Sequence, residues 1–357
     1  MISLPLFRIT IAVETSPGAS VIRSFNLCLI GFGTVGRSLI GLLQRKRRDL
    51  RERYEIDFRC TGVATRRLGW LVAPHGFTPE KLINGDYSEA SRAADLIDWL
   101  RANKANVLFE ASSLNAETGE PAITHIRAAL EAGAHAISAN KGPVVYAHRQ
   151  LSELAKARGV RFFHESAMMD GAPVFSLFRE TLPAIEIRGF RGVLNSTTNV
   201  ILECMDSGMN FDDAVREAQR LGVAETDPSN DIDGIDAAVK VVGLVNVLMG
   251  GDLKLDDVPR QGIRELTAAQ LRAAHESGAK WKLIGRAKRE SGSRISAYVR
   301  PERLTPEDPM YSVSGTSLSV GFETDIFREL IISERDPGPE ATAYGMLSDF
   351  INAVRSS

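Results

Sequence analysis

The sequence predicts an α/β fold with an N-terminal doubly wound parallel sheet and a second domain of the α+β type. Two observations carry this prediction. Short apolar runs of strand type alternate with helix-like segments from residue 25 to residue 164, and a glycine-rich turn joins the first strand to the first helix. Regular alternation of strands and helices is typical of a parallel sheet with helices on both faces.

The glycine-rich turn directly follows the predicted first strand, residues 25–30 (FNLCLI). Its G-x-G-x-x-G pattern between a strand and a helix is typical of Rossmann-type dinucleotide-binding domains. Gly31 permits the tight turn, Gly33 lets a pyrophosphate approach the backbone, and Gly36 allows close packing of helix and strand. The helix N-terminus offers free N–H groups to phosphates. The cofactor-binding residues predicted here are Gly31, Gly33, Thr34, Val35 and Gly36.

The remaining elements of the first domain follow in alternation. Strands are predicted at residues 56–64, 107–111, 135–139 and 160–164, and helices at residues 92–104, 121–132 and 146–158. Ligands of such sheets bind at the carboxyl ends of the strands. The loops after the strands are therefore candidate sites, and we expect Ser112 and Asn140 to contact the cofactor.

The second domain is predicted to cover residues 165–334. Strands are predicted at residues 186–194, 294–299, 318–323 and 327–333, and helices at residues 198–207, 211–221 and 235–249. A final helix is predicted at residues 342–354.

The composition is that of a globular protein. The 357 residues suffice for two domains, and 44% hydrophobic and 25% charged residues are ordinary values. A formal net charge of −2 gives no reason to expect nucleic acid or an anionic membrane as a partner. No apolar run approaches the ~20 residues needed to cross a bilayer. Three scattered cysteines predict neither a disulfide framework nor a zinc site: Cys28, Cys60 and Cys204.

The first 24 residues lack the apolar core and cleavage site of a signal peptide. We interpret them as an extension, for which a start codon placed too early is one explanation, and we expect a cytoplasmic protein.

The end of the second predicted strand addresses the choice of cofactor. NAD enzymes usually carry an acidic residue there, to bind the ribose diol. This chain instead has Thr65, Arg66 and Arg67, and two guanidinium groups suit the 2′-phosphate of NADP. The alternative is that both arginines are merely exposed loop residues. Because the absent acid and the present arginines agree, we predict NADP over NAD.

Residues 225–240 (ETDPSNDIDGIDAAVK) are rich in carboxylates. Pro228 and Gly234 predict a loop over residues 225–234, followed by an apolar helix that places Asp236 and Lys240 on one face. A carboxylate and an ammonium at the start of a buried helix indicate a site where a proton moves. An ordinary ion pair above a calcium-like acidic loop is the alternative.

Several ordered motifs carry a family resemblance over nearly the whole chain. They are residues 117–122 (ETGEPA), 131–133 (EAG), 138–143 (SANKGP) and 195–199 (NSTTN), followed by Glu225-x-Asp227-Pro228 and Asp231-x-x-Gly234-x-Asp236-x-x-x-Lys240. In this order they resemble homoserine dehydrogenase. The resemblance implies reversible NAD(P)-dependent oxidation of L-homoserine to L-aspartate 4-semialdehyde, toward threonine, methionine and isoleucine. A related oxidoreductase acting on another hydroxy or amino acid, and a non-catalytic NADP-binding sensor, are the alternatives.

The resemblance also implies roles for particular residues. Glu225 and Asp231 would bind the substrate ammonium, and Thr197 would offer its hydroxyl in the pocket. A small amino acid is therefore the expected binding partner.

Three further residues are implied to carry the chemistry. Asp236 and Lys240 would hold the reacting oxygen, with Lys141 near the nicotinamide. A partly desolvated lysine can have a lowered pKa suited to accepting a proton. We predict that Lys240, oriented by Asp236, carries the proton, and that Lys141 is a hydrogen-bonding partner or an alternative shuttle.

The resemblance further implies a monovalent cation, sodium or potassium, near Glu165, with backbone carbonyls as the other ligands. A structural loop anchor is the alternative for Glu165. The metal-site residues predicted in this way are Glu165, Met168, Asp170 and Ala172.

In the family, the C-terminal segment returns to the nucleotide domain beside the cofactor. This implies a dinucleotide-binding domain of residues 25–164 plus about 335–357, with Gly338 at the cofactor, and a substrate-binding and dimerisation domain of residues 165–334. We expect a homodimer in the short form of the family, without a C-terminal regulatory domain. The sequence departs from the family at pocket and wall positions: Asp170, Ser196, Val223, Pro339 and Glu340.

Overall fold

The computed structural model describes residues 21–290 and 294–355. The predicted extension, residues 1–24, therefore lies outside the described residues up to residue 20. The described chain forms two sheets with helices packed around them. Within the described ranges, no helix has the length and apolar character needed to cross a membrane.

The first sheet has seven strands. They are β1 (Arg23–Ile30), β2 (Ile56–Thr65), β3 (Gly69–Phe77), β4 (Ser91–Arg92), β5 (Val107–Glu110), β6 (His135–Ser138) and β7 (Phe162–Phe163), in the order β4-β3-β2-β1-β5-β6-β7. Strands β2, β1, β5, β6 and β7 are parallel, which confirms the predicted doubly wound sheet.

Strands β3 and β4 add an antiparallel edge that the sequence analysis did not predict. Strand β3 pairs with β2 through a short turn, and β4 pairs with β3. Pro74 and Gly76 interrupt the apolar run of β3, so this segment shows no strand pattern in the sequence. The predicted helix 92–104 is correspondingly shorter, because Asp95 caps a helix that begins only at Leu96.

The helices of this part are α1 (Thr34–Tyr54), α2 (Pro79–Asn84), α3 (Leu96–Ala102), α4 (Ala122–Glu131) and α5 (Lys141–Arg158). Helix α5 begins five residues earlier than predicted. The Asn140 side chain caps it by accepting a hydrogen bond from the Gly142 N–H at 2.8 Å. Pro143 is tolerated because the first helical turn has no intrahelical acceptors for its N–H groups.

The second sheet is antiparallel throughout. Its strands are β8 (Ile187–Val193), β9 (Lys280–Arg289), β10 (Ile295–Leu304), β11 (Leu318–Thr324) and β12 (Leu330–Glu334), in the order β10-β9-β8-β11-β12. Strand β9 escaped prediction because basic residues obscure its apolar alternation (KWKLIGRAKR).

Helices α6 (Ser196–Asp206), α7 (Phe211–Arg220), α8 (Ser229–Ile232), α9 (Ile235–Leu248) and α10 (Ala268–Glu276) accompany this sheet. Both α6 and α9 pack against β9. The prediction of a loop over residues 225–234 was wrong in part, because α8 forms a helical turn within it. A segment of four residues is too short to show helical periodicity.

The last helix, α11 (Pro339–Arg355), packs against α1. Its Phe350 ring lies 5.9 Å from the ring of Phe25 and 6.0 Å from that of Phe109, both in edge-to-face contact. The C-terminal helix is thus part of the core beneath the first sheet. The domain boundaries drawn from the sequence stay a prediction that agrees with this packing.

Candidate active site

Three helix N-termini meet at one cluster of polar side chains. Lys141 is the first residue of α5, Asp236 lies in the first turn of α9 with Lys240 one turn later, and Asn195 is the N-cap of α6. The cluster therefore combines a helix packed against the first sheet with two helices packed against the second.

Asp236 bridges the two lysines. Its Oδ1 lies 3.3 Å from Lys141 Nζ, and its Oδ2 lies 3.5 Å from Lys240 Nζ. Lys240 also donates a hydrogen bond to the Leu194 carbonyl at 2.6 Å, and it is only 8% exposed. The predicted spacing of Asp236 and Lys240, one helical turn apart, is thus confirmed. The other carboxylate oxygen of Asp236 contacts Lys141.

The charges of this cluster shift one another's pKa values. Burial acts to raise the pKa of Asp236, but Lys240 and Lys141 outweigh it and hold that pKa far below its usual range. Asp236 in turn raises the pKa of Lys141, against burial, with smaller contributions from Asp170 and Asp231. Lys141 thus departs from the lowered lysine pKa expected of a desolvated site, because the neighbouring carboxylate stabilises the ammonium.

Asn195 joins two carboxylates that would otherwise repel. Its Nδ2 donates to Asp231 Oδ1 at 2.6 Å and to Asp236 Oδ2 at 3.0 Å. Its Oδ1 accepts from the Thr198 N–H at 2.8 Å and so fixes the amide orientation. The sequence analysis included Asn195 in a motif and gave it no role. An Asn before a helix signals an N-cap, but no local pattern reveals the bridge.

Of the two carboxylates predicted to bind the substrate ammonium, Asp231 lies in the cluster and Glu225 does not. Burial and the like charge of Asp236 raise the pKa of Asp231, while hydrogen bonds from Asn195 and Thr197 lower it. Glu225 is exposed, and its backbone carbonyl accepts a hydrogen bond from Gln219 Nε2 at 3.1 Å. The structure therefore brings Asp231 into the cluster and leaves the Glu225 carboxylate outside its hydrogen bonds.

The other residue predicted to bind the substrate lies in the first turn of α6, beside the cluster. Thr197 is buried, and its hydroxyl donates to the Val223 carbonyl at 3.2 Å. This hydrogen bond ties the start of α6 to the loop that follows α7.

The glycine-rich turn has the geometry that the fingerprint requires. Gly31 has a φ of +86°, and a Cβ there would lie 2.3 Å from the Ala111 carbonyl oxygen. A Cβ at Gly36 would lie 2.9 Å from the Gly31 carbonyl oxygen, whereas none of the described atoms would lie within 4 Å of a Cβ at Gly33. Thr34 and Val35 follow as the first residues of α1. The open backbone at Gly33 and the helix N-terminus fit a pyrophosphate.

Asn140 and Ser112 connect this turn to the lysine cluster. Asn140 Nδ2 donates to the Ser112 carbonyl at 3.0 Å, and the same residue caps the helix that begins at Lys141. Ser112 Oγ donates in turn to the buried Glu110 carboxylate, which also faces His125. The loop after β5 and the start of α5 are therefore held together at the expected nicotinamide side.

Arg66 and Arg67 are exposed in the turn between β2 and β3. The neighbouring Thr65 hydroxyl accepts a hydrogen bond from the Leu68 N–H at 3.0 Å, so it stabilises the turn. No carboxylate among the described residues forms an ion pair with either arginine. Gly338 lies just before α11, where Glu340 pairs with Arg45 of α1.

The loop predicted to hold a cation is anchored by hydrogen bonds. Glu165 Oε1 accepts from the Phe175 N–H at 2.6 Å, and Oε2 accepts from the Ser176 N–H at 2.7 Å. The Ala172 carbonyl accepts from the Val174 N–H at 2.8 Å. Because both carboxylate oxygens bind backbone donors, the arrangement favours the loop-anchor alternative over a cation ligand. Met168 lies buried in the same loop.

A second carboxyl pair near the cluster was not predicted from the sequence. Burial and Asp170 raise the pKa of Glu334 to about 7, against hydrogen bonds from the Gly171 and Ala172 N–H groups. Asp170 has a φ of +46° and accepts from Thr342 Oγ1 at 3.0 Å. This pair links the end of β12 to the start of α11 beside the lysine cluster.

Comparisons with known proteins agree on one family. Residues 31–165 match the family model for the homoserine dehydrogenase NAD-binding domain, and residues 173–351 match the model for homoserine dehydrogenase. The NAD(+)-dependent homoserine dehydrogenase of Pseudomonas canavaninivorans is 34% identical over 341 residues, covering 93% of this chain and 97% of its own.

Two archaeal proteins are similarly related. The homoserine dehydrogenase of Methanocaldococcus jannaschii is 37% identical over 341 residues, covering 93% of this chain and 99% of its own. A mutant of a hyperthermophilic archaeal homoserine dehydrogenase, solved in complex with NADPH, superposes with a TM-score of 0.76 at 28% identity, covering 94% of this chain and 99% of its own.

Proposed function

The chain belongs to the homoserine dehydrogenase family, oxidoreductases acting on a CH–OH group, and we propose that Lys240, Asp236 and Lys141 together manage the proton in its reaction. The bridging of both lysines by one carboxylate supports this proposal most strongly. Oxidation of the alcohol releases a hydride and a proton, so a proton acceptor must lie at the reacting oxygen. Bound NAD(P) supplies the hydride acceptor.

Lys240 is the proposed proton carrier. One of its N–H groups is bound to the Leu194 carbonyl, which orients Nζ while leaving other positions for a substrate oxygen. In the reducing direction, its ammonium would donate a proton to the oxygen that develops negative charge. In the oxidising direction, Lys240 must first be neutral, and it then takes the hydroxyl proton.

Lys141 and Asp236 have supporting roles in this proposal. Asp236 raises the pKa of Lys141, so that ammonium stays charged and can stabilise negative charge on the reacting oxygen. Asp236 would also orient Lys240, whose Nζ lies 3.5 Å from its Oδ2. Asp231, with Glu225 from the exposed loop, would receive the substrate ammonium, and Thr197 would position it.

Turnover tests the proposed roles. Reduction of NADP or NAD by L-homoserine is followed at 340 nm for the wild type, Lys240→Ala and Lys141→Ala. We expect Lys240→Ala to lose most of its turnover, and Lys141→Ala to lose less. Near-normal turnover in both variants would reject the roles of both lysines.

A preference for NADP over NAD is part of the proposal. Arg66 and Arg67 support it, because they are exposed at the end of β2 and pair with no carboxylate of the part of the chain that the structure describes. The relatives do not agree on a cofactor, because one is named as NAD(+)-dependent and another was solved with NADPH. A charge-assisted contact is worth about 1.5–3 kcal/mol, so Arg66→Ala should raise KM for NADP about tenfold or more and leave KM for NAD unchanged. Arg127→Ala, an exposed change on α4, is the matched control.

We also propose a homodimer that forms along β12. This strand is an edge of the second sheet, and apolar side chains near it are exposed: Ile326, Phe327 and Ile331. Unpaired edge strands with apolar side chains favour association. Light scattering on the wild type and on Ile331→Lys would test it, since the variant should be monomeric.

Sodium or potassium binding near Glu165 stays a prediction, testable by turnover in the presence of each cation.

A further inference from the structure

A third arginine lies at the same edge of the first sheet as Arg66 and Arg67. It is Arg92, the exposed last residue of β4. Strand β3 runs antiparallel to β2, and β4 runs antiparallel to β3, so β4 points in the same direction as β2. The end of β4 therefore lies at the edge where the parallel strands have their carboxyl ends, and ligands of such sheets bind at that edge.

The register of the strands places Arg92 on the face of the sheet that leads to the turn between β2 and β3. Arg92 pairs with Leu71, so their side chains share a face. Gly69 lies two positions before Leu71 in β3 and therefore belongs to the same face. Gly69 in turn pairs with Thr65, the residue just before Arg66.

The guanidinium of Arg92 lies beside Gly69. A Cβ added at Gly69 would lie 3.9 Å from Arg92 Nη1. Gly69 and Leu71 are about 7 Å apart along the strand, so the Arg92 side chain extends from its own pairing position toward the turn. Its guanidinium is thus next to the residue that closes the turn carrying Arg66 and Arg67.

The acidic side chains that are close to Arg92 in the sequence are bound elsewhere. Glu89 pairs with Lys81 at 2.5 Å, and Asp95 accepts from the Asp98 N–H as the N-cap of α3. Within residues 21–290 and 294–355, no carboxylate forms an ion pair with Arg92. Arginines without counter-charges at one sheet edge create a positive potential there, which attracts an anion.

We propose that Arg92 binds the 2′-phosphate of NADP and so determines cofactor specificity together with Arg66 and Arg67. NAD carries a neutral hydroxyl at this position of its ribose. A phosphate group instead offers negative charge and three acceptor oxygens, of which one guanidinium can bind two. The inference rests on the proposed preference for NADP, and it adds that the edge strand β4 supplies one of the contacts.

Two nucleotides that differ only in the 2′-phosphate isolate this contact. They are 2′,5′-ADP and 5′-AMP, titrated calorimetrically into the purified protein without substrate. The wild type should bind 2′,5′-ADP more tightly. Arg92→Gln should weaken 2′,5′-ADP about tenfold, as expected for the loss of one charged contact, and should leave 5′-AMP unchanged. Arg92→Lys should retain part of the affinity, because lysine keeps the charge and loses the bidentate geometry.

Arg59→Gln is the matched control. Arg59 is an exposed arginine of β2, six residues before Thr65 and about 20 Å from it along the strand. This variant should leave both affinities unchanged. An unchanged affinity of Arg92→Gln for 2′,5′-ADP, or an equal loss for the two nucleotides, would overturn the role of Arg92.

The wild-type and Arg66→Ala titrations separate this inference from the proposed preference for NADP. Equal affinities of the wild type for the two nucleotides would reject that preference, and the role of Arg92 with it. Weaker binding of 2′,5′-ADP by Arg66→Ala but not by Arg92→Gln would keep the preference and reject Arg92 alone. Turnover gives a second readout, since Arg92→Gln should raise KM for NADP about tenfold and leave kcat and KM for NAD unchanged.

Discussion

Two buried lysines lie near opposite ends of helix α6, and their surroundings differ. Lys282 of β9 is 1% exposed and donates three hydrogen bonds. They go to Asn199 Oδ1 at 2.6 Å, to the Val313 carbonyl at 2.6 Å and to Glu203 Oε1 at 3.1 Å. An ammonium has three N–H donors, so Lys282 has none left for a ligand.

Lys240 is nearly as buried, at 8% exposure, but it is less fully bonded. It donates to the Leu194 carbonyl at 2.6 Å and lies 3.5 Å from Asp236. The number of ammonium N–H groups that are already hydrogen-bonded therefore distinguishes a lysine that stabilises the fold from one that can bind a ligand. Burial alone would not separate them.

The largest effect on turnover is expected at Lys240, the lysine with fewer hydrogen bonds. Lys240→Ala should lower kcat about 10²–10⁴-fold, the usual contribution of general acid–base catalysis. The thermal midpoint should fall less than in Lys282→Met, because Lys141 remains beside Asp236 when Lys240 is removed. The measurement is NADP reduction at 340 nm together with a melting curve. A large fall in the thermal midpoint of Lys240→Ala with an unchanged kcat would show that Lys240 stabilises the fold and does not act in turnover.

Lys282, whose three N–H groups are all bonded, should affect stability instead of turnover. Lys282→Met leaves Asn199 and Glu203 without their cation, and we expect a loss of about 3 kcal/mol in the free energy of unfolding, at the low end for a broken buried pair because Glu203 is partly exposed. Urea unfolding followed by circular dichroism measures it. Lys280→Met, on the same strand but less buried, is the control. A stable Lys282→Met protein with low kcat would show that the number of bonded N–H groups does not distinguish a structural lysine from one that acts in turnover.

Asn195→Ser sharpens the comparison at the other end of α6. Serine keeps a capping oxygen for the helix and removes the amide that bridges Asp231 and Asp236. Because the Asn195 hydrogen bond lowers the pKa of Asp231, its loss should raise that pKa. The acidic limb of kcat/KM against pH should move to higher pH, with about a tenfold loss at neutral pH for one lost charged contact. An unchanged profile with reduced stability would leave Asn195 as a helix cap alone.

The smallest effect concerns Asp349, a buried carboxylate with one hydrogen-bond donor among the described residues. Asp349 of α11 accepts one hydrogen bond, from the Glu165 N–H at 2.7 Å, and its Oδ1 has no partner among the described residues. Burial and the neighbouring Glu165 raise its pKa from 3.8 to about 8. Asp236, whose side chain is 18% exposed, has two lysines beside it, and they lower its pKa.

The sign of the pH dependence follows from this raised value. Between about pH 4 and 8 the folded protein keeps a proton that the unfolded chain has released, so the free energy of unfolding falls as pH rises through this range. Asp349→Asn should flatten that slope and gain about 1 kcal/mol at pH 8, within the cost of a buried charge left unpaired. Melting curves from pH 5 to pH 9 test it, with exposed Asp252→Asn as the control. A slope that persists in Asp349→Asn would assign it to another group.

Local sequence signals predicted much of this protein. The first strand, the glycine turn and the start of α1, and the parallel arrangement of the first sheet, follow from periodicity and from the conformational freedom of Gly31. The pairing of Asp236 with Lys240 follows from helical spacing, because residues four apart on a helix are neighbours in any fold.

Tertiary structure alone decided the rest. Lys141 precedes Asp236 by 95 positions in the sequence, and only the meeting of α5 and α9 brings it to the second carboxylate oxygen. Tertiary packing likewise makes Asn195 a bridge and provides acceptors for all three N–H groups of Lys282. Spacing along one element can be read locally, whereas the number of partners around a buried charge depends on which elements pack together, and that number sets its pKa and its role.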